Sequence, residues 1–336
     1  MLSYTRTVQT IDAHTGGEPL RIIVSGLPPV PGGNILEKRD WLKQHRDDLR
    51  QFLINEPRGH ADMYGAYLLP PITPNADFGV IFIHNEGYSD MCGHGIIALG
   101  KVLVEMGYVE RTEPTTRICF DAPAGFIEAR VEWDGVRAGK VTFKNVPAFI
   151  YARDVVVETP SFGQITGDIV FGGAFYYYIN ADQAGLSVKP EQVRQLIQLG
   201  AETKAAVKAK VSIVHPLEPG LNTLYGTIID SAPQVVGADQ SNVCIFADRE
   251  VDRSPTGTGT SGRAAQLFLR DRLALNQDLV NASIVGSKFS VRVTESTRVG
   301  AFDGVITEVT GSAHIMSTNQ WVLEDTDPFP TGFFLR

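Results

Sequence analysis

The alternation of apolar and polar positions predicts a chain built mainly of short strands. Runs rich in Val, Ile, Phe and Tyr, bounded by Gly, Pro, Asn or Asp, recur along its whole length. The 33 glycines are more than an average chain of 336 residues carries, as expected where tight turns join many strands. We predict strands at residues 79–84, 126–133, 140–146, 169–179, 210–214, 223–229, 242–247, 289–295 and 305–315.

Apolar positions recur with a helical period in four segments, which are of two kinds. Residues 36–54 and 190–199 are apolar on one face only, which indicates helices on the surface of the fold. Residues 93–106 and 258–275 are apolar on most faces, which indicates buried helices. Each of these two follows a strand-like run and a short polar loop. This repetition predicts two similar lobes, each with strands around one buried helix.

Length and composition narrow the class of protein. A chain of 336 residues is long for one domain, and 43% apolar with 20% charged residues is ordinary globular usage. The net charge of −8 is spread along the chain without a run of Lys or Arg, so nucleic acid is not an expected partner. No segment has the apolar length of a membrane span or the pattern of a signal peptide, which predicts a cytoplasmic protein.

The three cysteines fit reduced thiols better than a disulfide framework, because their number is odd. None has Cys or His neighbours at the usual zinc spacing, so no metal is expected. Cys119 and Cys244 lie within apolar strand-like runs and are interpreted as packing residues. Cys92 has a different setting, at the start of a predicted buried helix.

The two loops before the buried helices carry the candidate chemistry. They read NEGYSDMCGHG at residues 85–95 and DRSPTGTGT at residues 252–260. In both, a side chain that can exchange a proton, Cys92 or Thr256, is followed at once by glycine. Unpaired N–H groups at a helix N-terminus bind anions and can lower the pKa of a thiol from ~8.5 to ~3.5–7.5. Cys92 is therefore a candidate base near neutral pH.

The second loop also matches a dinucleotide-binding pattern, in which Gly257, Gly259 and Gly262 have the G-x-G-x-x-G spacing. Its context does not fit that interpretation. The preceding strand-like run ends near Ala247, and no acidic residue follows at the usual distance. A nicotinamide or flavin cofactor is not expected.

Several motifs of the chain resemble the proline racemase family. They are DAHTGGE at residues 12–18, PRGH at 57–60 with Met63, MCGHG at 91–95, DRSPTGTGT at 252–260, and DPF at 327–329 with Gly332 and Phe333. The resemblance covers nearly the whole chain and implies the fold of diaminopimelate epimerase. That fold is of mixed α/β (α+β) class, with two similar lobes that each wrap a bent, mostly antiparallel sheet around a central helix.

The resemblance also implies how the lobes are arranged. The first lobe would comprise residues 1–124 plus 316–336 and carry Cys92, and the second would comprise residues 125–315 and carry Thr256. The active site is expected in the cleft between them, and the protein is expected to be a homodimer.

Members of this family use two cysteines as base and acid on opposite faces of the substrate's Cα, and Thr256 stands where the second would be. A hydroxyl offers no anion of thiolate quality, so inversion is disfavoured. The Cys and Thr pair resembles the branch that dehydrates trans-3-hydroxy-L-proline. The resemblance therefore implies a lyase acting on a small imino acid, with no metal or other cofactor.

Roles for further residues follow from the same resemblance. The substrate carboxylate should accept hydrogen bonds from the backbone N–H groups at both helix starts. Asp252 should accept a hydrogen bond from the ring nitrogen, with His94 nearby. The N–H groups in question belong to Gly93, His94, Gly257 and Thr258. The leaving hydroxyl would be protonated by the new Cys92 thiol or by one of His14, His60 and Asp90.

The stereochemistry of the substrate supports elimination independently. In the trans isomer the Cα hydrogen and the C3 hydroxyl lie on the same face of the ring, so one base beside both can suffice. Two alternatives stay open. One is a proline or hydroxyproline epimerase or racemase in which Thr256 or a water replaces the missing thiol. The other is a non-catalytic imino-acid-binding protein that kept the pocket and lost the chemistry.

Overall fold

The computed structural model describes residues 4–335, in which 18 strands and five α-helices are found. The helices are α1 (Ile35–His45), α2 (Asp47–Ile54), α3 (Gly93–Glu105), α4 (Val193–Lys210) and α5 (Gly257–Phe268). The strands are β1 (Tyr4–Thr15), β2 (Glu18–Ser25), β3 (Tyr64–Leu69), β4 (Phe78–His84), β5 (Gly87–Ser89), β6 (Thr115–Ala122), β7 (Gly125–Trp133), β8 (Ala138–Lys144), β9 (Ala148–Thr159), β10 (Gly163–Phe171), β11 (Phe175–Asn180), β12 (Leu224–Ser231), β13 (Gln240–Phe246), β14 (Glu250–Asp252), β15 (Asp278–Ser283), β16 (Lys288–Val299), β17 (Phe302–Gly311) and β18 (Ala313–Glu324).

The chain divides into two compact units whose bounds differ from those of the predicted lobes. Unit 1 contains the residues up to Asp90, Gly95–Val141 and those from Ser312 on; unit 2 contains Met91–His94 and Thr142–Gly311. The sequence placed the first boundary at residue 124, but β6 and β7 pair antiparallel, which keeps both in unit 1. The prediction put Cys92 in the first lobe, whereas residues 91–94 cluster with unit 2.

In unit 2 the strand pairings form a closed circuit. They run from β9 through β10, β11, β12, β13, β15, β16 and β17 and return to β9, with β14 beside β13. All are antiparallel except β11 with β12 and β13 with β15. Helix α5 packs against β9, β10, β16 and β17, and nearly all its residues are buried. The polar sequence of its first turn is thus held inside the fold.

Unit 1 repeats the strand order of unit 2. Its pairings run through β1, β2, β3, β4, β6 and β7, with β2–β3 and β4–β6 parallel and β5 beside β4. Helix α3 follows β5 as α5 follows β14, and residues 95–104 are buried apart from Lys101. Strand β18 pairs with β1 over eleven positions, which brings the C-terminal segment to unit 1. The predicted fold of two similar units, each with a buried helix, is confirmed.

The predicted surface helix at residues 36–54 is two helices, α1 and α2. Arg46, with φ −142°, interrupts the helical backbone between them. Their apolar positions behave as predicted. Leu42, Leu49, Phe52 and Leu53 are buried in one core cluster with side chains of β1 to β4.

The strand predicted at residues 210–214 is wrong, because α4 continues to Lys210 and the residues after it form no strand. The prediction ended the helix at residue 199, before Gly200. In the structure Gly200 lies within α4, where a Cβ atom would be 2.4 Å from Cβ of Ile245. Glycine is needed there for close packing, not as a helix end. The predicted strands at 169–179 and 305–315 are each two strands, interrupted at residues 172–174 and at residue 312.

Candidate active site

Cys92 lies immediately before α3, at the place the sequence predicts. Its side chain is buried, with 5% exposed, and Sγ lies 3.1 Å from Nδ1 of His94, which is also buried. At this distance a thiol can donate to an imidazole nitrogen, and a thiolate can accept from an imidazole N–H. The two side chains can therefore exchange one proton.

The starts of α3 and α5 touch through two glycines of unit 2. A Cβ atom added to Gly93 would lie 2.5 Å from Cα of Gly257, and one added to Gly257 would lie 2.6 Å from Cα of Gly93. No real Cβ contact is so short, so only glycine permits this approach. The backbone N–H groups that the sequence assigned to carboxylate binding are thus brought together, at Gly93, His94 and Gly257.

Thr256 combines two locally unfavourable features at the N-terminus of α5. Its φ is +59°, a conformation that β-branched residues rarely adopt and that costs about 1–3 kcal/mol. Its hydroxyl is buried and has no hydrogen-bond partner among the described residues. Strain and an unpaired buried polar group persist in proteins mainly where function requires them. Both observations favour a functional role for Thr256.

The loop before Thr256 is held by its own polar groups. The amide of Ser254 donates to Asp252 Oδ1 at 2.7 Å, and the amide of Thr256 donates to Ser254 Oγ at 3.0 Å. The Asn242 side chain donates to the carbonyl of Pro255 at 3.0 Å. Asp252 is buried, as a ligand-binding residue would be, and one of its oxygens is used to shape this loop.

Two tyrosines that the sequence analysis did not single out hold the first turn of α5. The hydroxyl of Tyr176 lies 2.7 Å from Oγ1 of Thr258, and Tyr178 donates to the carbonyl of Gly259 at 2.9 Å. Burial raises the pKa of both phenols well above their ordinary value, so both remain protonated. The run of three tyrosines in β11 was the available signal, because alternate residues of a strand face the same side.

The three candidate acids outside the helix starts all lie in unit 1. His14 faces His314 with ring centroids 5.2 Å apart, and burial together with His314 lowers the pKa of His14. His60 is exposed, and its Nδ1 lies 2.7 Å from the carbonyl of Ala61. Asp90 forms an ion pair of 2.6 Å with Arg39. Burial raises the pKa of Asp90 to about 6, against the opposing effect of Arg39.

The other two cysteines lie inside strands, in accordance with the packing role predicted for them. Cys119 in β6 and Cys244 in β13 are fully buried. Burial raises the pKa of Cys119 to about 11, so its thiol is unreactive near neutral pH.

Among residues 4–335 no three His, Cys, Asp or Glu side chains are grouped as a metal site would require. No helix of the described chain is long and apolar enough to cross a membrane.

The fold and the site together define an enzyme of mixed α/β class, whose candidate reactive groups lie at the starts of two buried helices. The sequence model of the family described as "Proline racemase" matches residues 10–334. The chain therefore belongs to the proline racemase family.

Several named relatives and solved structures are similar to this chain over nearly its whole length. A "Trans-3-hydroxy-L-proline dehydratase" of Burkholderia cenocepacia is 56% identical over 335 residues, which cover 100% of both chains. A "3-hydroxyproline 2-epimerase" of Burkholderia multivorans is also 56% identical, with the same coverage. A crystal structure of a hydroxyproline epimerase from Agrobacterium vitis, with bound trans-4-hydroxy-L-proline, has a TM-score of 0.94 at 30% identity. That match covers 100% of this chain and 97% of the other.

Proposed function

We propose that this chain is a lyase that dehydrates trans-3-hydroxy-L-proline. The observation that carries the proposal is the unequal pair of groups at the two helix starts, a thiol at Cys92 and a hydroxyl at Thr256. The dehydratase names of relatives such as that of Burkholderia cenocepacia support it.

In the first step Cys92, as thiolate, takes the Cα proton. The substrate carboxylate accepts hydrogen bonds from the N–H groups at the helix starts, which disperse the negative charge that develops at Cα. His94, in contact with Sγ, can accept a proton from the thiol or return one to it. This contact allows the thiolate to form without bulk solvent at the sulfur.

In the second step the C3–O bond breaks. The electron pair left at Cα forms the C2=C3 double bond, and the hydroxyl leaves as water after taking one proton from an acid on its own face. The resulting enamine gains a proton at C3 and loses one from nitrogen, which gives the imine pyrroline-2-carboxylate. The acid is the Cys92 thiol itself or one of His14, His60 and Asp90. A carboxyl with a pKa of about 6, as in Asp90, retains a proton to donate in mildly acidic solution.

Thr256 separates elimination from inversion in this scheme. Inversion requires proton delivery from the face opposite the base, and a hydroxyl is a far weaker acid and base than a thiol. The unpaired Thr256 hydroxyl can form a hydrogen bond to a bound substrate without exchanging a proton with Cα.

An epimerase acting on 3-hydroxyproline is the second candidate function, because the relative named for that activity is equally identical to this chain. It would require Thr256 or a water to deliver the second proton. The two candidates differ in product, since elimination consumes the C3 hydroxyl and epimerisation retains it.

The test is incubation with trans-3-hydroxy-L-proline in deuterated water, followed by NMR. We expect an imine that borohydride reduces to proline, and no accumulation of the cis diastereomer. Recovery of the diastereomer as the main product would establish the epimerase, and unchanged substrate without Cα deuteration would support a non-catalytic binding protein. Cys92→Ser should lose both turnover and Cα exchange, whereas Cys119→Ser should retain both.

The assembly and location of the enzyme are also proposed, as a homodimer in the cytoplasm, on the family resemblance. Light scattering coupled to size-exclusion chromatography should give about twice 36.6 kDa. Fractionation of cells should recover the activity with the cytosol. We expect no cofactor, so activity should survive dialysis against a chelator.

A further inference from the structure

Unit 2 contains a polar cavity at the opposite end of α5 from Thr256. Its volume is about 260 Å³, and it is lined by the second half of α5, by the turn that follows and by strands β9 to β12. Three aspartates and three arginines contribute to its lining, so their charges balance. They are Asp154, Asp168, Asp230, Arg263, Arg270 and Arg272.

Part of this charge is already paired within the protein. Arg270 donates to both oxygens of Asp168, at 2.9 and 2.7 Å, and Gln266 donates to one of them at 2.7 Å. Asp154, at the surface, accepts a further bond of 3.0 Å from Arg270. Burial alone would raise the pKa of Asp168, but these hydrogen bonds and the charge of Arg270 lower it overall. The charges of Asp168, Asp154 and Arg270 are therefore paired with one another.

Asp230 is paired through only one of its two oxygens. Oδ2 accepts hydrogen bonds from Arg263 at 3.1 Å and from Asn180 at 3.2 Å. No donor to Oδ1 is found among residues 4–335, although Asp230 is only 5% exposed. Because Asp230 lines the cavity, Oδ1 is free to accept a hydrogen bond from a ligand donor there.

Arg272 supplies the complementary charge at the rim of the cavity. Its side chain is exposed, and its guanidinium has no ion pair or hydrogen bond within the described chain. It is close enough to Asp230 to oppose, with Arg263, the rise that burial causes in the pKa of that carboxyl. An unpaired guanidinium is suited to a carboxylate, which it can bind with two parallel hydrogen bonds.

We propose that this cavity binds a small zwitterion of the α-amino or α-imino acid class. The ligand's ammonium donates to Oδ1 of Asp230, and its carboxylate accepts from Arg272. A ligand carrying both charges preserves the balance of the lining, whereas a simple cation or anion leaves one of the two groups unpaired. The volume is slightly below the usual range for ligand pockets, roughly 300–1,000 Å³, which suits a ligand of amino-acid size. The class of ligand follows from unit 2 alone and does not depend on the proposed function.

The test uses the methyl groups of Leu267, which line the cavity, as a reporter. The full chain carrying Cys92→Ser is labelled with ¹³C-leucine, and Leu267→Met assigns the signal. Three probes that share a saturated five-membered ring are titrated: L-proline, pyrrolidine, which lacks the carboxylate, and tetrahydrofuran-2-carboxylate, which lacks the ammonium. We expect a saturable shift with L-proline and binding of the other two at least about tenfold weaker. No shift with L-proline, or equal binding of a single-charge probe, would overturn the proposal.

Two substitutions locate the ligand's charges. Arg272→Ala should weaken L-proline binding at the Leu267 reporter by about tenfold or more, and Arg292→Ala, at an exposed arginine outside the cavity, should leave it unchanged. Asp230→Asn should also weaken L-proline binding. If Asp230→Asn does not fold, Arg272→Ala decides the result, because Arg272 is exposed and its replacement should not affect folding. If Arg272→Ala binds L-proline as tightly as the unsubstituted cavity does, the proposal is wrong. Turnover of trans-3-hydroxy-L-proline by the wild-type enzyme is measured separately. The proposed function and the proposed ligand site can therefore fail independently of each other.

Discussion

Gly93 and Gly257 approach so closely that a methyl group on either would lie 2.5 or 2.6 Å from the Cα atom of the other. This contact fixes the starts of α3 and α5 against each other, and with them Cys92 and Thr256. Two glycines far apart in the sequence thus determine whether a thiol and a hydroxyl can serve one substrate.

Replacing either glycine should therefore impair catalysis more than folding. We expect Gly93→Ala and Gly257→Ala to lower kcat/KM roughly 100-fold, since small displacements of reacting groups have effects of that size. The clash itself should reduce the free energy of unfolding by about 1–3 kcal/mol. Gly33→Ala is the control, because a Cβ atom there meets only an ordinary contact at 3.4 Å. Wild-type kinetics in Gly93→Ala would contradict the importance of the contact.

Introducing a second thiol should convert part of the activity to inversion. Thr256→Cys places a group of thiol acidity where the family has its second base, so the cis diastereomer of 3-hydroxyproline should appear among the products. Chiral chromatography of the reaction mixture measures it. Thr256→Ser, which retains a hydroxyl, should produce none. If Thr256→Cys exchanges the Cα proton but forms no diastereomer, Thr256 does not face the side of the substrate opposite Cys92.

The strained backbone of Thr256 should be visible in stability. Thr256→Ala and Thr256→Gly both remove the hydroxyl, but only glycine adopts a φ of +59° without strain. We expect the glycine variant to be more stable than the alanine variant by about 1 kcal/mol, measured as the free energy of unfolding in urea. Equal stability of the two would indicate that the conformation stores no strain.

The tyrosine hydroxyls of β11 should affect kinetics according to the side they face. Tyr176→Phe and Tyr178→Phe release Thr258 and Gly259, so we expect kcat/KM to fall by about tenfold. Tyr177→Phe is the matched control, because its hydroxyl donates to the carbonyl of Val155 instead. All three should lose a similar stability, about 0.5–1.5 kcal/mol for one buried hydrogen bond. Equal kinetic losses in all three would mean that the effect is general destabilisation.

Alkylation should distinguish the functional thiol from a structural one. At pH 8 we expect iodoacetamide to modify Cys92 and abolish activity, with L-proline slowing the reaction. The Cys119 thiol has a pKa of about 11 and is therefore protonated at pH 8. We expect it to remain unmodified until the solution is strongly alkaline. Mass spectrometry of tryptic peptides gives both rates. Labelling of Cys119 at the rate of Cys92 would show that the two thiols do not differ as inferred.

The chemistry of the site was predictable because it is written in short, contiguous motifs. A Cys or Thr followed by glycine at the start of an apolar helix can be recognised in the sequence alone. The unpaired N–H groups and the partial positive charge of a helix N-terminus are present in any helix and do not depend on the rest of the fold. The buried character of α3 and α5 followed from their apolar composition in the same way. Strand β1, whose sequence is largely polar and alternating, was missed because only its partners in the sheet define it.

The sequence by itself determined that two similar helix starts exist and that one carries a thiol and the other a hydroxyl. Only the tertiary structure decided that Gly93 meets Gly257, that Thr256 has a positive φ, and that Tyr176 and Tyr178 reach the first turn of α5. The glycine contact and the two tyrosine hydrogen bonds join residues more than 80 positions apart. They depend on strand pairing and on the closeness of packing, which no local pattern of residues encodes.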